Sequence, residues 1–434
     1  MQMDRKLRAR LATAGQDWII DHAESLRDES RARLLKQLAG LDLDQVVAMQ
    51  AGEGLAKPAE GNLAPLPCVA AADRTQTTDE AGAGREALRA GRVGFVVLAG
   101  GQASRLKYNG PKGEFPIGPR SDRSLFRILI ERILRGGRDA DSMPRIAITT
   151  SSTTDAAIRQ FFEEHDCFGY PRGLLRFACQ GQLPALDQQG RLLLATRDRV
   201  FTNPDGHGGA LQALETSGIL AEWEQAGIDF AATCQVDNPL LRVVDADFIG
   251  RVAIGNAPIA TKIVTKTNAS EKVGVVAQVG GRPALVEYSD ISDADSERRD
   301  DDGQLTYRLG SIAAHVFRRD FLRQELPSSL PLHVAHKEIP CVDLEGAAQT
   351  RPGTKYERFL FDLFPRADQV VVCEVERERE FAPLKNYDGV HSPVDVRRQM
   401  DAEYRRWYAE AGTKPPAETP LELSPLDAVG PEDL

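Results

Sequence analysis

Two adjacent glycines, Gly100 and Gly101, close a short apolar run that begins at Val93, and Arg105 and Lys112 follow them. Residues without a Cβ let a backbone turn sharply and approach a ligand closely, with N–H groups offered to phosphate or base. Arginine adds a planar fork of donors, and lysine a mobile point charge. The composite is suited to handling phosphate. Its apolar, β-branched run predicts a buried parallel strand, so the loop lies at a C-terminal strand edge, where open α/β sheets bind ligands. Two commoner glycine loops are excluded by spacing. A dinucleotide fingerprint needs Gly-x-Gly-x-x-Gly, and a P-loop needs Lys followed by Ser or Thr. Here the glycines adjoin, and Lys112 is followed by Gly113 and Glu114.

The elements that must position this loop follow from periodicity. Strands are predicted over 94–99, 145–150, 174–179, 230–236 and 259–264, and helices over 125–135, 155–164 and 208–215. Alternation of the two implies an α/β fold with a doubly wound, mostly parallel sheet. Segments 274–279 and 283–288, joined by Gly280-Gly281, read as a hairpin inserted over that sheet. The expected domains are an N-terminal helical region with a Gly/Pro/Ala-rich linker (1–91), a catalytic body (92–385), a C-terminal helical region (386–411) and a disordered tail (412–434).

Composition sets bounds. A chain of 434 residues can bury a large core, and its net charge of −10 argues against a nucleic-acid surface. Six cysteines without Cys-x-x-Cys spacing read as reduced, mostly buried thiols. There is no apolar run of membrane-spanning length and no secretory h-region, so a soluble, cytoplasmic protein is expected.

Leu98-Ala99-Gly100-Gly101, Arg105-Leu106 and Pro111-Lys112-Gly113 together resemble the signature of nucleotide-sugar pyrophosphorylases. More narrowly they resemble the UTP-dependent branch of the UDP-N-acetylglucosamine pyrophosphorylase type. Further pieces follow in that family's order: Gln180-Gly181-Gln182-Leu183-Pro184, Pro204-Asp205-Gly206-His207-Gly208-Gly209, Val236-Asp237-Asn238, Val273-Gly274-Val275-Val276, Val286-Glu287-Tyr288 and Pro383-Leu384-Lys385-Asn386. The similarity runs over roughly residues 7 to 411.

The resemblance implies uridylyl transfer from UTP to a sugar 1-phosphate, with release of pyrophosphate. Bringing two polyanions together needs cations and oriented donors more than covalent chemistry. Arg105 and Lys112 are then suited to the departing pyrophosphate, Lys385 to the sugar phosphate, and Ala99, Gly100 and Gly101 to the nucleotide backbone. Asp237 at a strand end is either a helix N-cap or a Mg²⁺ ligand, and the resemblance favours the metal. It also assigns Gln180 to the uracil edge, Gly206 and His207 to the nucleotide, and Glu287, Ser311, Asn238 and Gly274 to the sugar.

Two positions depart from the N-acetylhexosamine pattern. His207 stands where Gly-Asn-Gly-Gly is typical, and Ser311 where an asparagine lies beside the N-acetyl group. N-acetylglucosamine 1-phosphate is the expected acceptor. A glucose or broad UDP-sugar enzyme is one alternative, and a catalytically weak nucleotide-sugar-binding regulator is another.

Overall fold

The computed structural model describes residues 4–57, 61–74, 78–255, 257–326, 328–417 and 419–434. The chain divides into two compact units. One comprises Met1–Pro58, Gly181–Gly209 and Ser329–Leu360, and the other comprises Ala59–Gln180, Ala210–Ser328 and Phe361–Leu434. This grouping differs from the linear partition expected above, because the N-terminal helices belong with two segments far along the chain.

The larger unit is built on a ten-stranded sheet. Its centre is β1 (Val93–Leu98), β2 (Arg145–Thr150), β3 (Leu175–Cys179) and β4 (Phe230–Gln235), all parallel, in the order β4-β1-β2-β3. Every residue of β1 is buried, as a strand covered on both faces requires. Two further strands, β5 (Ile259–Thr265) and β6 (Leu309–Arg318), extend the sheet; β6 pairs antiparallel with both β4 and β5. The predicted hairpin forms from Val275–Val279 and Arg282–Val286, turning through Gly280 and Gly281 at φ +57° and +81°. It is part of the main sheet, joined to it where Val275 pairs with Gly310, and does not lie over it.

Two expectations fail in this unit. The linker reading of 51–91 misses a helix, α1 (Asp79–Arg89), whose N-terminus is capped by the Thr78 hydroxyl accepting from the Ala81 N–H. Its Gly and Ala residues are what close helix packing demands. A Cβ on Gly84 would lie 1.8 Å from the Ala246 carbonyl oxygen, and one on Gly250 would lie 1.6 Å from that of Glu80. The C-terminal tail likewise is packed: Leu421 and Ala428 are buried, and the Glu422 carboxylate accepts from the N–H groups of Arg120 and Ser121. Asp433 pairs with Arg135 at 2.7 Å. Its carboxylates are counter-ions to specific arginines, which tail composition cannot reveal.

In the smaller unit four helices span Arg5–Thr13, Asp17–Ser25, Asp28–Gly40 and Leu43–Ala51. Leu11, Leu34 and Leu38 from these helices share one core with Leu183, Leu194 and Tyr356. The long strands His333–Val342 and Ala348–Glu357 pair antiparallel along their whole length.

Candidate active site

Sheet register brings the glycine loop together with three other strand ends. Leu98 pairs with Gln235 and with Thr149, and Thr150 pairs with Cys179, so four adjacent strands end level. The residues that follow, Gly100, Ser151, Gln180 and Asp237, therefore emerge side by side at the C-terminal edge. Gly100 lets the Gln180 side chain lie close against the loop: a Cβ there would lie 2.3 Å from the Gln180 side-chain oxygen and would displace it. Gln180 is buried, its backbone N–H bonded to the Thr150 carbonyl. The loop is braced by Ser151 Oγ donating to the Gly100 carbonyl at 2.8 Å and by the Lys112 N–H donating to that of Gly101. Ser151 was not singled out from sequence, although a run of hydroxyls after a predicted strand was a usable signal. Arg105 sits on a 3₁₀ turn, exposed, and forms no ion pair within the described residues.

Asp237 and Lys112 meet directly, with Lys112 Nζ 2.6 Å from Asp237 Oδ2. Lys385 is brought to the same place through backbone: the Leu384 N–H donates to the Asp237 carbonyl at 2.8 Å. The Lys385 and Asn386 N–H groups both donate to the His391 carbonyl, which closes the turn carrying Lys385. Asn238, expected at the sugar, has a structural part in the fold. It is buried, its amide donates to the Glu380 carbonyl at 2.7 Å, and its side-chain oxygen accepts from the Ala382 N–H. It ties two loops together.

Among the described residues no cluster of three metal-ligating side chains exists. Asp237 is a single carboxylate beside the glycine loop, in contact with Lys112. That donor set fits Mg²⁺, which commonly takes one or two carboxylates and completes its shell with substrate phosphates and water.

The sugar candidates also converge. The Ser311 N–H donates to the Gly274 carbonyl at 2.9 Å, and a Cβ on Gly274 would lie 3.5 Å from Glu287 Oε1. Ser311 stands at a β-bulge, where the pairing of β5 with β6 slips between Thr261 and Ile263. Ala313 within it has φ +56°, and its N–H reaches Ser311 Oγ at 3.2 Å.

Gly206 and His207 belong to the smaller unit. Gly206 has φ +85°, and a Cβ there would lie 2.3 Å from the Arg358 carbonyl oxygen. The His207 ring stacks on Phe359, and its Nδ1 accepts from the Leu360 N–H at 3.0 Å, which puts the ring proton on Nε2. Desolvation, with His333 adding repulsion, lowers its pKa to about 4 from an ordinary 6.5. The unfolded chain therefore binds this proton more readily. The ring's contribution to stability is full above pH 6.5 and is lost as pH falls toward 4, up to about 3 kcal/mol in all. His207→Asn should flatten that part of the profile in urea denaturation compared at pH 7.5 and 5; equally steep losses in both proteins would refute it.

A family model described as UTP–glucose-1-phosphate uridylyltransferase matches residues 59–392. UDP-N-acetylhexosamine pyrophosphorylase-like protein 1 of Mus musculus is 36% identical over 448 residues, covering 95% of this chain and 87% of its own length. UDP-N-acetylglucosamine pyrophosphorylase of Saccharomyces cerevisiae is 36% identical over 70% of this chain and 67% of its own. The solved Trypanosoma brucei uridine diphosphate N-acetylglucosamine pyrophosphorylase, in complex with an inhibitor, superposes with TM-score 0.84 at 27% identity. That match covers 100% of this chain and 94% of the other. A Leishmania major UDP-glucose pyrophosphorylase variant shares the fold, with TM-score 0.63 at 17% identity over 86% of this chain and 79% of its own.

Proposed function

This chain belongs to the UTP–glucose-1-phosphate uridylyltransferase family, and from that premise we propose that it transfers UMP from UTP to N-acetylglucosamine 1-phosphate. The products are UDP-N-acetylglucosamine and pyrophosphate. The observation carrying this reading is the row of adjacent strand ends bearing Gly100, Gln180 and Asp237, with Lys112 paired to the last. Relatives named for this activity over most of the chain support it.

In the proposed reaction a phosphate oxygen of the sugar 1-phosphate attacks the α-phosphorus of UTP in line. The bond from that phosphorus to the bridging oxygen of the β-phosphate breaks, and pyrophosphate leaves with the electron pair. Arg105 and Lys112 receive the charge that develops on the leaving group, so they act most strongly in the transition state. Lys385 neutralises the attacking phosphate. Gln180 presents one donor and one acceptor to the uracil edge. Glu287, Ser311 and Gly274 are assigned to the sugar, and Ala99 and Gly101 to the nucleotide; Gly206 and His207, on the smaller unit, are kept as nucleotide candidates on sequence resemblance alone. Mg²⁺, when bound at Asp237 and the substrate phosphates, would supply further neutralisation of phosphate charge. No helix of the described residues is long and apolar enough to cross a membrane. The cysteines are thiols rather than disulfides, which suits the reducing, cytoplasmic setting proposed here.

A broader acceptor range is favoured by Ser311, which is shorter than an amide side chain and already holds the Ala313 N–H. Losing one sugar hydrogen bond changes preference by about 1 kcal/mol without abolishing use. Pyrophosphate release from UTP with a panel of sugar 1-phosphates tests both points. N-acetylglucosamine 1-phosphate should be a good substrate with loose discrimination. Glucose 1-phosphate winning by more than about tenfold in kcat/KM would overturn the sugar, since that ratio exceeds one neutral hydrogen bond. Absence of turnover with every sugar would overturn the enzyme.

A further inference from the structure

The loop that bears Asp237 runs into a buried ionic cluster around Lys262. Lys262, on β5, is 1% exposed, and its ammonium is 2.6 Å from Glu380 Oε2, 2.8 Å from Asp245 Oδ2 and 3.0 Å from the Arg242 carbonyl. All three donors of the ammonium are thus engaged. Arg74 pairs with Asp245 at 2.6 Å and with Asp247 at 2.8 Å, so Asp245 has a second cation. Glu380 also accepts from the Arg242 N–H at 3.2 Å. Burying such charges costs more than an apolar core of the same volume, so the cluster is poorly explained as a source of stability.

Its position suggests another purpose. Glu380 starts the segment that reaches Lys385 five residues later, and Arg242 ends the loop that starts at Asp237. Between them run three bonds: Asn238 to the Glu380 carbonyl, the Ala382 N–H to Asn238, and the Leu384 N–H to the Asp237 carbonyl. Lys262 clamps the far ends of both segments at once, through the Glu380 carboxylate and the Arg242 carbonyl. The same residue stands on β5 opposite the bulge that carries Ser311.

We infer that Lys262 and Glu380 are positioning residues, which hold the Asp237 loop and the Lys385 segment in register so that both phosphate partners meet the reacting groups together. The inference rests on the roles proposed above for Asp237 and Lys385, and it assigns the clamp to residues outside the set proposed to meet substrate.

Glu380→Gln tests it, because it keeps the side-chain volume while removing the charge, and Lys262 retains Asp245. By hydrogen exchange, the Ala382 and Leu384 amides should lose at least about tenfold in protection while the Tm stays close to that of the parent. The KM for the sugar 1-phosphate should rise about tenfold or more while the KM for UTP holds within about twofold, separating a local misplacement from general loss. If E380Q fails to fold, K262M/E380Q removes both charges together, leaves Asp245 on Arg74, and is read in the same way. Unchanged exchange at both amides, or equal loss in every kinetic parameter, overturns the inference. Lys385→Ala is run alongside. If K385A leaves the sugar phosphate KM untouched, the role given to Lys385 is wrong, and the exchange result alone decides the clamp.

Discussion

Asp237→Asn yields a folded protein that releases pyrophosphate at least ~10²-fold more slowly, the scale expected when one preorganised electrostatic stabiliser is lost. The substitution keeps the shape of the side chain, and its amide oxygen can still accept from Lys112, so unfolding does not explain the loss. The Asp237 carbonyl, which receives the Leu384 N–H, is unaffected by it. Initial rates across a Mg²⁺ titration, with thermal unfolding of the same preparation, make the measurement. A folded variant within tenfold of the parent at ordinary Mg²⁺ would remove Asp237 from the reaction, because that is about 1.4 kcal/mol of barrier and below the loss of one stabiliser.

Lys112→Met should lower kcat by about 10²-fold with little change in the KM for UTP, because its charge matters most as pyrophosphate departs. The 2.6 Å contact with Asp237 adds a second, opposite consequence. A lysine on that carboxylate competes with any other cation for it, so K112M should need less Mg²⁺ for half-maximal rate even as the maximum falls. The parent should show the higher requirement. A variant whose UTP KM alone rises, with kcat intact, would make Lys112 a ground-state binder only. A higher Mg²⁺ requirement would contradict competition at Asp237.

The parallel core was legible because its strands are apolar throughout and bounded by turns. Predicted strand 145–150 coincides with β2, and the predicted helix 155–164 with Asp155–Glu164. The grouping of Gly100, Gln180 and Asp237 at adjacent strand ends was legible for a related reason: glycine pairs and strand-end polar residues leave local marks. What failed was pairwise. Helix Asp79–Arg89 is hidden in a Gly/Ala stretch whose meaning lies in the backbone of a partner helix. Glu422 and Asp433 become structural only when Arg123 and Arg135 are seen to face them. Asn238 follows a site aspartate directly, yet its amide turns to Glu380 and Ala382, a choice that adjacency in sequence does not encode. Lys262 is the clearest case. Predicted strand 259–264 gives no sign of what its lysine pairs with, and Lys262 is among the most deeply buried of the described side chains.

The three-part make-up of the smaller unit bears on how the protein is made. Its N-terminal helices are translated well before Leu183 and Leu194, and Tyr356, which shares the same core, is translated well after them. Domains that lie within one stretch of chain can fold as they emerge, but this one waits for contacts of very long sequence separation. Meanwhile Leu11, Leu34 and Leu38 have no completed core to enter. A nascent chain halted before residue 360 therefore carries a leucine-rich helical surface in water, a target for chaperones and for aggregation alike.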